Sequence, residues 1–262
     1  MHNFEFVKPT SIADAVVALS DGGAQALSGG MTLLPTMKQR LAQPSVLVSL
    51  TAIAEMQGVC MGEGGLHIGG ATLHAVVARE AKALYPALAA LAGGIGDPSV
   101  RNRGTVGGSV ANNDPAACYP SAVLASGATV VTNKRKIAAD DYFQGMFTTA
   151  LEDGEIITSV IFPVPQKAAY LKFIQPASRF ALTGVFVAKY AGGVRVAVTG
   201  ASNDGVFRWT EAERALSADF SASAISGLNV SSDGMISDLH GTPEYRANLV
   251  KVLTRRAVEA SA

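Results

Sequence analysis

Two glycine-rich stretches carry the residues whose types and spacing best suit binding chemistry. They are Leu27-Ser28-Gly29-Gly30-Met31-Thr32-Leu33-Leu34-Pro35 and Gly104-Thr105-Val106-Gly107-Gly108-Ser109-Val110-Ala111-Asn112-Asn113-Asp114-Pro115. Glycine serves where the backbone needs a positive φ or where a ligand must come close to it, and small neighbours leave backbone N–H groups bare. Two such loops in one chain could close on one extended anion, such as a diphosphate. Either loop alone fits an ordinary tight turn equally well. The first lies between a predicted strand over residues 24–28 and a predicted helix over residues 33–41, with Thr32 as its cap. A strand, a Gly-Gly turn and a helix N-terminus together favour phosphate, through free N–H groups and the helix dipole. It is not a Rossmann dinucleotide fingerprint, because Gly29-Gly30 is followed by Met31, Thr32, Leu33 and Leu34 rather than by the spacing G-x-G-x-x-G.

Groups that would act on a substrate directly are sparse. Asp114-Pro115 reads first as a helix N-cap followed by an N1 proline. Arg101 and Arg103 flank the second stretch and could steady a phosphate or a partner carboxylate, or simply tie the loop. Cys118 reads as a small buried filler. Lys172 sits on an otherwise apolar strand and faces either solvent or a ligand. No Ser-His-Asp, Cys-His or paired-carboxylate arrangement stands out, so no catalytic residue is assigned and a cofactor is expected to carry any chemistry. The two cysteines, Cys60 and Cys118, are too few for an iron–sulfur cluster, and the four histidines lack zinc-ligand spacing. No metal site is expected on this chain.

The elements that must position these residues follow from periodicity. Ser11 or Thr10 caps a helix with Ile12, Ala15, Val16 and Leu19 on one face, and residues 46–50 supply a strand that completes a small βαβ unit. Two strands follow over residues 56–61 and 66–70, then a helix capped by Thr72 and an apolar helix over residues 85–92. Residues 95–115 are expected to form a long irregular segment wrapping a ligand. A short helix near residues 121–125 and strands over residues 128–132 and 155–162 close this half, and Pro163 and Pro165 mark a boundary. Beyond it come four strands over residues 169–174, 183–190, 194–201 and 206–209. Helices follow, the last starting at Thr242-Pro243 with Tyr245, Leu249, Val252, Leu253 and Val258 on one face. Strands followed by segregated helices indicate an α+β arrangement.

The 262 residues are 48% hydrophobic and only 16% charged, with 21 basic and 21 acidic side chains. That balance argues against disorder and gives no electrostatic case for nucleic acid or an anionic membrane. No signal peptide and no membrane-spanning run is visible, so a cytoplasmic location is expected.

Ser28-Gly29-Gly30-Met31-Thr32-Leu33-Leu34-Pro35, Gly70-Ala71-Thr72, the run from Asp97 to Ser109 and Asp114-Pro115-Ala116-Ala117 occur in an order and spacing that resemble the FAD-binding medium subunit of the bacterial molybdenum hydroxylases. This group includes the medium chain of aerobic carbon monoxide dehydrogenase and the flavin subunits of xanthine and aldehyde dehydrogenases. The resemblance extends to Glu244-Tyr245-Arg246 and Arg255-Arg256-Ala257-Val258 near the end of the chain. It implies a vanillyl-alcohol-oxidase-type (PCMH) FAD-binding domain of two α/β subdomains, residues 1–53 and 54–165, plus a C-terminal α+β domain over residues 166–262. It implies noncovalent FAD, its diphosphate held by Leu27, Ser28, Gly29, Gly30, Met31, Thr32, Leu33 and Leu34 on one side. Thr105, Val106, Gly107, Gly108 and Ser109 would hold it from the other, with Asn112 and Asp114 beyond them. By the same pattern Ile95, Lys172 and Phe180 lie at the isoalloxazine and Ile157 near the adenine. The implied partners are a large molybdopterin subunit and a small subunit with two [2Fe–2S] clusters, assembled as a dimer of heterotrimers. The flavin chain takes electrons from the clusters and passes them to an external acceptor.

Two positions depart from the family's pattern. Four residues after Asp114 the family commonly has a second Asp, where this chain has Cys118; a thiol supplies no carboxylate acceptor, leaving Asn112, Asn113 or Asp114 to compensate. Met31 replaces a usually polar residue, although its N–H remains. A stand-alone flavin reductase or oxidase with the same FAD fold is the alternative reading, and a scaffold that has lost its flavin is a third.

Overall fold

Local rules shape the first unit. β1 (Glu5–Val7) is followed by α1 (Ile12–Leu19), where the Ser11 hydroxyl accepts the N–H of Asp14 and the helix buries Ala15 and Leu19. The structure, a computed structural model, describes residues 1–261. β2 (Ala24–Leu27), α2 (Leu33–Lys38) and β3 (Val46–Ser49) form the expected βαβ unit, with β2 and β3 parallel and β1 on the far side of β3. α2 ends three residues before the expected Leu41. Thr32 already has helical backbone geometry and makes no side-chain cap, so the N–H groups at this end are left open.

The second unit is built on an antiparallel sheet. β4 (Val59–Gly62) and β5 (Gly65–Gly69) form a hairpin. Next come α3 (His74–Glu80), α4 (Pro86–Gly93), α5 (Pro98–Arg101), α6 (Val106–Asn112) and α7 (Tyr119–Ser126). β6 (Thr129–Thr132), β7 (Lys136–Ala138), the short α8 (Ala139–Tyr142), the small β8 (Phe143–Gly145) and β9 (Thr148–Thr149) pair, and β10 (Ile157–Phe162) complete it. The strand order is β4-β5-β10-β6-β7.

Three expectations fail here, each because a side chain found a different partner. Thr72 does not cap α3; its hydroxyl donates to the Gly58 carbonyl and accepts the Gly58 N–H. The expected irregular segment is helical twice over, since Asp97 accepts the Val100 N–H to cap α5 and Thr105 accepts the Gly108 N–H to cap α6. Glycine is present at position 107 for packing, because a Cβ there would lie 2.6 Å from the Gly70 carbonyl oxygen. Asp114 caps no helix either: its carboxylate accepts the Ala116 N–H in a turn, and α7 starts only at Tyr119.

The C-terminal part is a meander, β11 (Lys167–Ile174), β12 (Ala181–Tyr190), β13 (Gly193–Ser202) and β14 (Gly205–Arg208), covered by α9 (Thr210–Ala218) and α10 (Pro243–Ala260). Thr242 caps α10 as expected, accepting the Tyr245 N–H ahead of Pro243. Its buried face runs through Arg246, Leu249, Val250, Leu253 and Ala257, while Tyr245 is partly exposed. Arg246 can be buried because its guanidinium donates to the Leu182 and Gly200 carbonyls and to both oxygens of Asp238.

α7 joins the two halves. All eight of its residues are buried, so it has no polar face, and it touches α4 on one side and β12, β13 and β14 on the other. Phe186, Ala188 and Ala197 of the C-terminal sheet accordingly belong to the same core as Leu88, Tyr119 and Val160. Phe186→Ala is expected to cost about 3–5 kcal/mol, read as a fall in the denaturant midpoint of the whole chain. A lost transition confined to residues beyond 165 would show that the halves do not share this core.

Candidate functional site

The two glycine stretches meet face to face. The Thr105 hydroxyl donates to the Ser28 hydroxyl at 2.8 Å. A Cβ on Gly29 would overlap the Arg103 carbonyl and the Gly104 Cα, so the backbones touch and only glycine fits. Gly30 turns the chain with φ +67°, within reach of glycine at little cost. Between the loops opens a cleft of about 570 Å³, within the range of small-molecule sites.

Most of the expected residues line this cleft: Leu27, Ser28, Gly29, Gly30, Met31, Thr32, Leu33, Ile95, Thr105, Gly107, Gly108, Ser109, Asn112, Asp114, Ile157 and Lys172. Leu34 and Val106 do not. Leu34 packs its side chain beside Gly30, and Val106 is fully buried beneath the loop. Of the three residues placed to compensate for Cys118, Asn112 and Asp114 face the cleft. Asn113 is instead buried, its amide donating to the Gly145 and Thr148 carbonyls.

The backbone donors of the two loops are not equally free. The N–H groups of the second loop are not bare: Val106 donates to the Thr72 carbonyl, Gly107 to Gly70, Gly108 to the Thr105 hydroxyl and Ser109 to the Thr105 carbonyl. The first loop is the open one. Among the described residues, the N–H groups of residues 29–33 find no acceptor. Five adjacent unpaired donors in a concave wall require water or a ligand, and the chemistry that satisfies them best is an anion with several oxygens.

A second cluster forms around Lys172. Its ammonium donates to the Gly94 carbonyl at 2.8 Å and the Arg179 carbonyl at 2.9 Å, with the Cys118 sulfur at 3.7 Å. The lysine therefore faces the cleft and not open solvent, beside Ile95 and Phe180. Arg101 proves to be a loop tie, donating to the Ile95 and Gly96 carbonyls. Cys118 is buried, as expected, yet it also reaches the cleft wall.

Two titratable wall residues escaped the sequence reading. Burial alone would raise the Glu155 carboxyl, but bonds from Arg135, Thr132 and the Glu152 N–H hold it down at about 2, so its charge is spent inside the protein. His74, only 4% exposed, has its pKa lowered by burial to about 4, and it is neutral at pH 7. A lone histidine at the start of a helix gives no sequence signal. Glu155 sits in the loop before β10, where nothing in the sequence marks it.

Comparison with known proteins fits this geometry. The sequence profile of the FAD binding domain in molybdopterin dehydrogenase matches residues 2–165. The nicotine 6-hydroxylase medium subunit of Paenarthrobacter nicotinovorans is 37% identical, over 98% of this chain and 97% of that one. The carbon monoxide dehydrogenase medium chain of Afipia carboxidovorans is 32% identical over 98% and 96%. Among solved structures, reconstituted CO dehydrogenase from Oligotropha carboxidovorans superposes with a TM-score of 0.88 at 30% identity, covering 100% of this chain and 99% of that one. Quinoline 2-oxidoreductase from Pseudomonas putida 86 gives 0.88 at 26%, covering 99% and 97%. The fold is thus that of an FAD-binding oxidoreductase subunit. The chain belongs to the family of FAD-binding medium subunits of the molybdenum hydroxylases.

Because the folded pKa of His74 lies below its unfolded value near 6.5, the unfolded chain binds the extra proton first as pH falls. The stability that depends on a neutral His74 is complete above about pH 6.5 and declines as pH drops toward 4. Denaturant midpoints measured from pH 7.5 to 4.5 should fall less steeply in His74→Gln than in the parent. Parallel curves would assign the slope to other groups.

Proposed function

We propose that this chain is the electron-transferring flavin subunit of a heterotrimeric molybdenum hydroxylase. The observation that carries the reading is the row of five unpaired N–H groups at residues 29–33, facing a cleft closed by the Thr105–Ser28 contact. The cleft fits FAD by the chemistry of its walls. Open donors and glycines stand where a diphosphate needs close backbone approach, and apolar side chains with one tethered lysine stand where a planar ring system needs contact.

In this reading residues 29–33 hold the diphosphate through their open N–H groups, with Leu27 and Ser28 lining the cleft beside them. Thr105 and Gly107 to Ser109 shape the opposite wall, their own donors already engaged. Asn112 and Asp114 offer polar atoms in the absence of a second Asp at position 118. Ile95, Lys172 and Phe180 flank the isoalloxazine, and Ile157 the adenine. Leu34 and Val106 support the loops from behind. Noncovalent FAD supplies the redox chemistry, exchanging one or two electrons. This chain's own residues bind and orient it, and Lys172 holds a positive charge at the ring. Residues 1–165 form the FAD-binding domain of the vanillyl-alcohol-oxidase (PCMH) type, divided near residue 53, and residues 166–262 the C-terminal domain.

The partners are a large molybdopterin subunit that oxidises the substrate and a small subunit with two [2Fe–2S] clusters, in a dimer of heterotrimers. Electrons pass from the clusters to this chain and on to an external acceptor; the chain oxidises no substrate alone. Purification of the native complex should therefore return iron and molybdenum with this chain, and a chain that elutes alone with its own substrate turnover would favour the stand-alone flavoenzyme.

The site is tested through Gly108, whose Cβ would lie 3.0 Å from the Thr105 hydroxyl oxygen and 3.8 Å from the Ser28 Cβ, at the seam between the loops. Gly108→Asp places a carboxylate beside the diphosphate and should weaken FAD binding by at least roughly tenfold, ~1.4 kcal/mol, with the fold retained. The parent should be yellow and release FAD on denaturation. An unchanged FAD titration in the variant would remove this wall from the site.

A further inference from the structure

His74 is an unexplained feature of the cleft. Its side chain is 4% exposed and lines the wall, yet its buried Nδ1 has no hydrogen-bond partner. A buried polar atom without a partner is costly, and a native structure retains one where it serves a purpose. Leucine would fill the same space without that cost.

The surroundings are built around the ring. The His74 N–H donates to the Gly104 carbonyl at 3.0 Å, which ties the start of α3 to the second loop. A Cβ on Gly104 would lie 2.6 Å from Nε2, so glycine at 104 leaves room for the imidazole at the loop. On another side the ring packs against Tyr119, with centroids 5.2 Å apart and planes tilted by 36°. The Tyr119 hydroxyl is likewise buried without a partner.

These contacts settle what the ring can do. A neutral imidazole has one donor and one acceptor nitrogen. A buried N–H with no acceptor is the worse orphan, since a missing partner for a lone pair is tolerated more often. That places the proton on Nε2 and leaves Nδ1 as the orphaned lone pair. Nε2 is absent from the enclosed, unpartnered atoms and makes no bond within the chain, so the N–H is open toward the cleft beside Gly104.

Resting on the FAD reading above, we propose that His74 is a cofactor-binding residue whose neutral imidazole donates an Nε2–H hydrogen bond to the bound FAD. It adds to the cleft a side-chain donor that carries no charge, on the same wall lining as the loop donors and Lys172. The absence of a charged neighbour suits that role: burial is the one cause lowering its pKa, and the ring stays neutral throughout the physiological range.

FAD titration of the parent, His74→Leu and His74→Gln tests this, with the visible spectrum of the bound flavin recorded in each. The expected result is a Kd raised roughly three- to tenfold in His74→Leu, the equivalent of one hydrogen bond, with shifted flavin absorption bands. His74→Gln, which keeps an N–H donor, should recover part of both. A leucine variant that binds FAD with the parent's Kd and spectrum overturns the proposal, as does a glutamine variant no better than leucine. Should leucine fail to fold, a glutamine variant with parental Kd and spectrum at pH 7 supports the donor role, and one with a tenfold loss and shifted bands contradicts it. A parent that takes up no FAD at all would instead defeat the cofactor reading, and with it this inference.

Discussion

The close contact between the two glycine stretches governs the rest of the molecule. One hydroxyl pair, Thr105 to Ser28, and one backbone approach, Gly29 against Arg103 and Gly104, bring together loops 77 positions apart in sequence. The parallel sheet of the first unit delivers Ser28 at the end of β2, and the antiparallel sheet delivers Gly70, on which α6 rests. If the seam opened, the cleft would lose the contact that joins its two walls.

The loops divide the work unequally. Stretches that look alike in composition end in opposite states, because Thr105 caps its helix and Thr32 does not. The second loop spends its donors on Thr72, Gly70 and Thr105 and becomes a rigid wall. The first keeps its donors free. An anion in the cleft is therefore held mainly from one side and shaped by the other. Buried α7 extends that rigidity into the C-terminal sheet, whose Lys172 returns to the cleft through the Gly94 and Arg179 carbonyls.

Several local signals in the sequence formed where the partner was also local. Ser11, Thr242-Pro243 and the βαβ unit of residues 24–49 needed nothing beyond neighbouring residues, and they formed as read. That the two glycine stretches belong together was legible from their pairing in one chain, since either alone fits an ordinary turn, and the structure brings them into contact. Much of what was missed depended on distant partners, whereas Asp97, Thr105 and Asp114 bond N–H groups only two or three residues ahead. Thr72 bonds Gly58, Asn113 turns to Gly145, and Arg246 finds Leu182 and Gly200; no pattern within ten residues announces these. His74 was invisible for the same reason, since its meaning lies in burial and an unpartnered nitrogen. The identity of the family came from the ordered set of short stretches, and the fate of each backbone donor from the fold.

The central claim is that an anionic cofactor is gripped by the first loop and merely walled by the second. Backbone amide hydrogen exchange, residue by residue, with and without FAD, tests it most directly. The account predicts strong new protection at residues 29–33 on adding FAD and little change at residues 106–109, whose N–H groups are already bonded within the chain. New protection confined to residues 106–109, with residues 29–33 exchanging as before, would contradict it.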